Sequence, residues 1–376
     1  MNAPQNTQKI AQHPAQPAQQ NAPLFQPAPM SAMQARYEAQ RIAFSPVVFQ
    51  CVRIAWKRGI LAALAASGRK PLSTEVLAEQ SKLSTYAAGV LLETSLSAGV
   101  VTREGDDWLL GKSGHWMVSD ALTQINFDFV NDVCYLGLAD LEESLVQGKP
   151  IGLRALGDWE TIYQGLSILP EPARTSWFRF DHYYSDSAFP AALPHVMKLA
   201  PRRLMDIGAN TGKWTRMCLE RDPALQVTML DLPIQLEVAQ RNLAEAGLAE
   251  RAIAHPIDLL DVSAAFPEGQ DVVWMSQFLC CFSEEVIRSI LARARACLAP
   301  GGRILVLDTF WDRQAHEIAA FCLVNTSPYF TALGSGVSKM YESGAFIEAA
   351  RDVGLRLADV RDGLGIAHSL LSFEAE

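Results

Sequence analysis

The chain has 376 residues, of which 49% are hydrophobic, and a formal net charge of −9 at pH 7. This length predicts two or three domains with a sizeable core, and the acidic balance argues against a non-specific nucleic-acid binder. The seven cysteines form no C-x-x-C pair, as expected for reduced thiols of a cytoplasmic protein. No apolar run reaches about 18 residues and no secretory signal is recognisable, so neither a membrane span nor secretion is expected.

The N-terminal third is predicted to be a tail followed by a small helical domain. Residues 1–29 are rich in Gln, Pro, Ala and Asn, which predicts a disordered tail. Residues 30–120 predict helices, including a strongly apolar one over 44–66, and then a short hairpin over 100–110. This order is typical of a winged helix-turn-helix, whose usual use is DNA binding. Because residues 84–101 contain no Lys or Arg, we expect a dimerisation domain and no nucleic-acid partner.

The remaining chain is predicted to form a helical connector and an α/β domain. Residues 121–199 are mostly helical in pattern and rich in aromatic residues, which suits a connector lining a substrate pocket. Strands and helices alternate over 200–376 as in a doubly wound sheet, and Pro-Gly-Gly at 300–302 is predicted to separate a helix from a strand. The last two strands lack a long helix between them, which predicts an antiparallel hairpin. The predicted strands are 203–207, 226–230, 252–256, 271–275, 303–308, 355–360 and 367–373, and the predicted helices are 213–221, 233–246, 283–298 and 343–353.

The most informative motif is a glycine turn between the first two strands of this α/β domain. Asp206 lies in the first strand, Gly208 and Gly212 form the turn, and Asp231 closes the second strand. Ligands of open α/β sheets bind outside the carboxyl ends of the strands, where an acidic residue can accept hydrogen bonds from both ribose hydroxyls. The glycine spacing is not that of a pyrophosphate-binding turn, which argues against a nicotinamide-dependent oxidoreductase. A carboxylate at Asp206 suits an ammonium group, and S-adenosylmethionine, a nucleoside joined to an amino acid, fits both ends.

Four segments in order carry a resemblance to a known family, namely Asp206–Gly212, Asp231–Pro233, Ile257–Leu260 and Leu298–Asp308. With them the chain outside its tail resembles the S-adenosylmethionine-dependent O-methyltransferases of secondary metabolism, which act on small aromatic or polyketide hydroxyls. The resemblance implies a class I methyltransferase with a Rossmann-like catalytic domain and a winged-helix dimerisation domain. It also implies a homodimer that uses S-adenosyl-L-methionine, and we expect no metal site.

The resemblance further implies roles for individual residues. Asp206 and Gly208 would hold the methionine end of the cofactor, and Asp231 would bind the ribose hydroxyls. Asp258 would accept a hydrogen bond from the adenine amino group, with Leu259 packing on the ring. The predicted cofactor-binding residues are Asp206, Gly208, Asn210, Gly212, Asp231, Leu232, Asp258, Leu259 and Ser276. The predicted substrate residues are Tyr183, Tyr184, Phe310, Trp311, Asn325, Tyr329 and Tyr341, with a loop over 325–336 covering the site.

The sequence departs from the family where the general base is expected. Family members carry a His-Asp pair after the fourth strand, and here Cys280 stands at the histidine position. A thiol acts as a base only if its pKa is lowered, and a buried cysteine is more often an apolar filler. His182, His316 and Asp308 are the other candidate catalytic residues. Three alternatives stay open: an acceptor that is ionised beforehand, with O- or ring-carbon methylation, a non-methylating member of the fold, or a winged-helix transcriptional regulator.

Overall fold

The computed structural model describes residues 24–26 and 28–376, so most of the predicted tail over 1–29 lies outside the described residues. The described residues form two compact units. We call them the N-terminal unit and the sheet unit. Residues 121–199, which the sequence predicts to be one connector, are divided between them. The N-terminal unit comprises 26, 28–136 and 167–181, and the sheet unit comprises 24–25, 137–166 and 182–376.

The N-terminal unit is helical with one antiparallel hairpin. Its elements are α1 (Ala32–Lys57), α2 (Ile60–Ala66), α3 (Thr74–Ser81), α4 (Thr85–Ser97), β1 (Val101–Glu104), β2 (Asp107–Leu110), α5 (Lys112–Ser119) and α6 (Ala121–Phe129). Ser73 and Ser84 cap α3 and α4 by accepting backbone hydrogen bonds, as their positions predict. The predicted helix over 44–66 is wrong in its bounds. Gly59, at φ 86°, ends one helix and starts the next, because this left-handed conformation costs glycine little.

The sheet unit contains the remaining long elements. Its helices are α7 (Leu141–Gln147), α8 (Ile162–Gly165), the 182–197 part of α9 (Ala173–Met197), α10 (Lys213–Arg221), α11 (Pro233–Glu245), α12 (Glu284–Ala296), α13 (Glu317–Tyr329) and α14 (Ser343–Asp352). Its strands are β3 (Arg203–Ile207), β4 (Gln226–Asp231), β5 (Ala252–Pro256), β6 (Gln270–Ser276), β7 (Leu298–Asp308), β8 (Leu355–Leu364) and β9 (His368–Ala375). Among the described residues, none of the helices is both long and apolar enough to cross a membrane.

Seven strands form one mixed sheet in the order β5-β4-β3-β6-β7-β9-β8. The first five are parallel, and β9 pairs antiparallel with both β7 and β8, which confirms the predicted closing hairpin. The strand order reverses between β3 and β6, and such a switch point is where open α/β sheets bind ligands. The predicted doubly wound class I fold is therefore confirmed. One face of the sheet buries its core residues against α9, α10 and α11, among them Val196, Trp214, Leu236 and Trp274.

Two predictions about local structure are wrong. Pro300-Gly-Gly302 does not separate a helix from a strand, because β7 runs through it and pairs irregularly with β6 near Gln270. The predicted loop over 325–336 is instead the end of α13 followed by a π-helical turn, Phe330–Gly334. Within this segment Tyr329, Phe330, Ala332 and Leu333 are buried, so burial of these side chains outweighs the glycines that suggested a loop.

Candidate functional site

The glycine turn follows the central strand β3 and reverses the chain tightly. Gly208 and Gly212 both have φ of +76°, a conformation that favours glycine. The Gly208 N–H donates to the Leu230 carbonyl at 2.8 Å, which ties the turn to the neighbouring strand β4. A Cβ on Gly208 would lie 2.3 Å from Cδ2 of Phe278, in the segment after β6. The turn thus requires glycine for its backbone and for the close approach of that ring.

Asp231 joins this turn to the start of α11. Its Oδ2 accepts from the backbone N–H of Asn210 at 2.8 Å, and its Oδ1 accepts from the N–H of Leu232 at 2.7 Å. Burial raises the pKa of the Asp231 carboxyl, and these two N–H donors lower it. Each carboxylate oxygen has a second lone pair, so the carboxylate, when ionised, can still accept two further hydrogen bonds from a ligand. Asn210 has φ of +48°, and its Oδ1 is buried with no hydrogen-bond partner among the described residues.

Asp206 is buried deeper, at 2% exposure. Its Oδ2 accepts a hydrogen bond of 2.7 Å from the Thr215 hydroxyl in α10. Burial raises the pKa of Asp206 to about 7, the Thr215 hydroxyl lowers it, and Asp231 raises it further. A carboxyl in this state changes its charge near neutral pH and would gain from a cationic ligand group. The motif spacing alone gave no signal for the contribution of Thr215.

The segment after β5 lies beside the end of β4, because the N–H of Ile257 donates to the Asp231 carbonyl at 3.0 Å. Asp258 is exposed and its Oδ1 accepts from the N–H of Leu260 at 2.9 Å. Leu259 is buried, and its carbonyl accepts from Nη2 of Arg293 at 2.7 Å. Ser276 closes β6 and is half-buried. The structure therefore places the predicted cofactor residues at the carboxyl ends of four neighbouring strands, β3 to β6.

Cys280 lies in the short turn Leu279–Cys281 after β6 and contacts Asp308 at the end of β7. Asp308 is 2% exposed, and its Oδ1 accepts from the N–H of Thr309 at 2.8 Å. Burial raises the pKa of Asp308 to about 6, while the N–H of Thr309 and the neighbouring Cys280 lower it. The other carboxyl oxygen, Oδ2, is buried and has no hydrogen-bond partner among the described residues.

The two candidate histidines occupy different surroundings. His182 lies in α9 and is half-buried, whereas His316 is exposed at the start of α13. Among the described residues no group of three or more His, Cys, Asp or Glu side chains is arranged to hold a metal ion. The roles of these histidines, like those of the cofactor residues, stay predictions.

The predicted substrate residues differ in how deeply they are buried. Phe310 is 1% exposed and packs edge-on against Phe346, with ring centroids 5.1 Å apart. Tyr341 is buried, and its hydroxyl donates to the Phe282 carbonyl at 2.7 Å. Asn325 is exposed on α13. The others are half-buried or buried: Tyr183, Trp311, Tyr184 and Tyr329.

Sequence reasoning missed one polar residue of this region. Tyr163 lies on α8, far from the motifs along the chain, and its buried hydroxyl lies beside the thiol of Cys281. No spacing rule links these two positions, because the contact is formed only when the chain folds.

Comparisons with known proteins identify two domains in the chain. Residues 36–108 match a Dimerisation2-like domain, and residues 205–304 match a methyltransferase domain. An L-tyrosine C(3)-methyltransferase of Streptomyces lavendulae is 24% identical over 60% of this chain and 61% of its own. A demethylspheroidene O-methyltransferase of Cereibacter sphaeroides is 34% identical over 31% of this chain and 30% of its own. The matched stretches thus span less than two thirds of these relatives.

Solved structures match over nearly their whole length. The S-adenosylmethionine-dependent methyltransferase SibL in its apo form is 26% identical and has a TM-score of 0.66. The match spans 89% of this chain and 98% of the SibL chain. The mitomycin 7-O-methyltransferase MmcR is 19% identical with a TM-score of 0.66, over 92% of this chain and 98% of its own, and shows the fold alone.

Proposed function

We propose that this chain, which belongs to the S-adenosylmethionine-dependent methyltransferases by its two domains and its fold, transfers a methyl group to a small aromatic or polyketide-like acceptor. The observation that carries the proposal is the carboxylate of Asp231 at the switch point, with a free lone pair on each oxygen. We propose a hydroxyl oxygen as the acceptor atom, and a ring carbon is the alternative.

The residues present fit the cofactor. Asp231 would accept hydrogen bonds from the two ribose hydroxyls, and Asp206 would face the positive charge of the methionine end. The buried Asn210 Oδ1, which has no hydrogen-bond partner among the described residues, would gain a donor from the cofactor. Asp258 and Leu259 would bind the adenine. When bound, the cofactor supplies an electrophilic methyl group on a sulfonium.

The protein's own part in the transfer is binding, orientation and exclusion of water. An in-line displacement gains most from holding the acceptor atom close to the methyl carbon at the correct angle. The segment after β6, which carries Cys280, and the end of β7, which carries Asp308, lie at the same sheet edge as the glycine turn and suit this orienting role. Asp308 keeps its Oδ2 buried with no hydrogen-bond partner among the described residues, so we propose it ahead of Cys280 as the group that accepts a proton.

We also infer a homodimer in the cytoplasm. The N-terminal unit, which contains the Dimerisation2-like match, exposes large apolar side chains that a second copy would cover. They include Met33 at 71%, Ile42 at 75%, Phe44 at 59%, Tyr86 at 82% and Trp116 at 66% exposure. The seven cysteines are all free, as a reducing compartment would keep them.

Calorimetric titration with S-adenosylhomocysteine tests the proposed cofactor site. We expect the wild-type protein to bind it and Asp231→Asn to bind about 10- to 100-fold more weakly, because one carboxylate oxygen that accepts from the ribose is replaced by a donor. The matched control is Asp352→Asn, which alters an exposed carboxylate paired with Arg288 and should leave the affinity unchanged. Equal affinity of Asp231→Asn and wild type would refute the assignment.

Transfer itself is tested by incubating the protein with methyl-labelled S-adenosylmethionine and a panel of hydroxylated aromatic compounds. Labelled product is expected for at least one acceptor. A protein that binds the cofactor but transfers no label would favour the non-methylating alternative. One relative, the aclacinomycin 10-hydroxylase RdmB of Streptomyces purpurascens, is named as a hydroxylase and not as a methyltransferase.

A further inference from the structure

The segment between β5 and β6 carries the two residues that we expect to bind adenine. Residues 257–269, all described by the structure, connect these strands without a helix or strand of their own, so side chains must pair part of their backbone. Asp258 Oδ1 accepts from the N–H of Leu260 at 2.9 Å, and Asp261 Oδ1 accepts from the N–H of Ser263 at 2.9 Å. Each contact shapes a single turn, and neither ties the segment to another element.

Arg293 in α12 ties the segment to the rest of the fold. Its Nη2 donates to the Leu259 carbonyl at 2.7 Å, and its Nη1 donates to the carbonyls of Asp261 at 3.0 Å and Ala264 at 3.2 Å. The guanidinium also lies over the ring of Phe266, 4.8 Å from the ring centroid, and that ring is 5% exposed. One side chain therefore contacts the segment at its start, its middle and its end.

These contacts depend on the shape of the arginine side chain. A planar guanidinium presents its N–H donors in a fixed fork, so the carbonyls that it binds keep fixed positions relative to one another. A basic residue in the last turn of a helix usually interacts with the carbonyls of its own helix end. Arg293 lies in that turn, yet its bond to the Ser289 carbonyl of α12 is 3.4 Å long and its bond to Leu259 is 2.7 Å long. The shorter contact holds the segment and does not cap the helix.

The bond to Leu259 matters most because of the residues on either side of that carbonyl. Leu259 is 6% exposed and precedes Leu260, whose N–H donates to Asp258 Oδ1. Fixing the Leu259 carbonyl thus fixes the turn that orients the Asp258 carboxylate. That carboxylate has further lone pairs for a ligand, and a hydrogen bond to it weakens steeply when its distance or angle departs from the preferred range.

We propose that Arg293 is a positioning residue for the base of the cofactor. By holding the Leu259 carbonyl it sets Asp258 against the amino group of adenine, and it thereby makes the site prefer adenine to other purines. This deepens the proposed function and rests on it. Arg293 acts through Asp258, so the ribose contact of Asp231 does not depend on it.

The test compares S-adenosylhomocysteine with S-inosylhomocysteine, in which hypoxanthine replaces adenine and a carbonyl oxygen replaces the amino group. Calorimetric titration of the full-length protein gives both affinities. We expect the wild type to prefer S-adenosylhomocysteine by at least about tenfold, because a carbonyl oxygen cannot donate to the Asp258 carboxylate. In Arg293→Met the preference should fall to about threefold or less, since the carboxylate is no longer held in place. A merely structural role would lower both affinities by the same factor and leave the preference unchanged.

Arg251 offers a matched control at the opposite edge of the sheet. It lies just before β5 and also donates to three backbone carbonyls, those of Leu219 at 2.8 Å, Asp222 at 2.8 Å and Leu225 at 3.3 Å. Arg251→Met removes a comparable set of hydrogen bonds far from the carboxyl ends of the strands. It should lower stability while the preference for adenine stays at the wild-type value.

Two further variants show whether Arg293 acts through Asp258. Asp258→Ala should lower the preference directly, and adding Arg293→Met to it should lower the preference no further, because both changes act on one hydrogen bond. Arg293→Lys keeps the charge but not the fork, so we expect an intermediate preference. This variant provides the measurement if Arg293→Met fails to fold.

The possible results separate the two proposals. A wild-type preference in Arg293→Met, an equal loss of preference in Arg251→Met, or additive losses in the double variant overturns the positioning role while the cofactor site stands. A wild-type protein that binds both ligands equally also overturns this role, because Asp258 then does not recognise the base. Failure of the wild-type protein to bind either ligand overturns the methyltransferase assignment itself.

Discussion

Asp206→Asn tests whether the buried carboxyl beneath the glycine turn carries a proton near neutral pH. The Thr215 hydroxyl can donate to the amide oxygen of Asn as it does to the carboxylate, so the hydrogen bond of 2.7 Å is retained. Burial raises the pKa of Asp206 from 3.8 to about 7 in the folded protein. The protonated form is therefore favoured by folding, and the stability it contributes is lost as pH rises from about 4 through about 7.

The expected size follows from that difference in pKa. Over the whole window the loss is about 4 kcal/mol, and between pH 6 and pH 8 it is about 1.4 kcal/mol. Asp206→Asn does not titrate, so its free energy of unfolding should rise relative to the wild type by about 1.4 kcal/mol between these two pH values.

Urea titration followed by circular dichroism, without ligand, measures this difference at pH 6, 7 and 8. Asp352→Asn, an exposed carboxylate of the same unit, serves as the control and should show no such trend. A difference between Asp206→Asn and wild type that stays constant from pH 6 to 8, or that shrinks, would show that Asp206 is ionised throughout and would refute the reasoning.

Three further predictions concern other parts of the chain. Gly208→Ala should abolish measurable S-adenosylhomocysteine binding. The double variant Gly208→Ala with Phe278→Ala should recover only part of the affinity, because it relieves the clash with the ring but not the strain of a positive φ at residue 208. Full recovery would show that the positive φ does not require glycine. Burial lowers the pKa of His368 to about 3, so the wild type should lose stability as pH falls below about 6.5 and His368→Leu should lose less in thermal melts. Ile42→Glu should shift sedimentation towards the monomer, whereas Val146→Glu, at 83% exposure in the other unit, should not; an unchanged dimer in Ile42→Glu would exclude that face.

The parallel strands could be predicted from the sequence because each is a short apolar run that ends at a polar or glycine-rich turn. The glycine turn and the two aspartates predicted the ligand-binding edge, whereas the order of the strands in the sheet was not predicted. The end of α13 could not be predicted in the same way. Pro328 and the glycines at 334 and 336 are local signals of a loop, and only the buried face formed in the fold outweighs them.

The candidate site likewise contains residues that the sequence predicts and residues that it does not. Asp231 and Gly208 act through neighbours in the chain or in the adjacent strand, so a motif captures them. Tyr163 contacts Cys281 across a long stretch of chain. Thr215 is only nine residues from Asp206 but lies in α10 beyond the glycine motif, where the sequence gives it no distinguishing context. Polar groups that complete a site from distant elements are visible only once the packing is known.

The exchange of histidine for Cys280 has a consequence that reaches beyond one residue. A histidine there would take the acceptor's proton, and the buried Asp308 would stabilise the resulting imidazolium. Asp308 itself keeps one carboxyl oxygen, Oδ2, buried with no hydrogen-bond partner among the described residues, and burial raises its pKa to about 6. A carboxylate in that state can take the acceptor's proton without a histidine between them, so the exchange of histidine for Cys280 does not by itself remove general-base catalysis from this site.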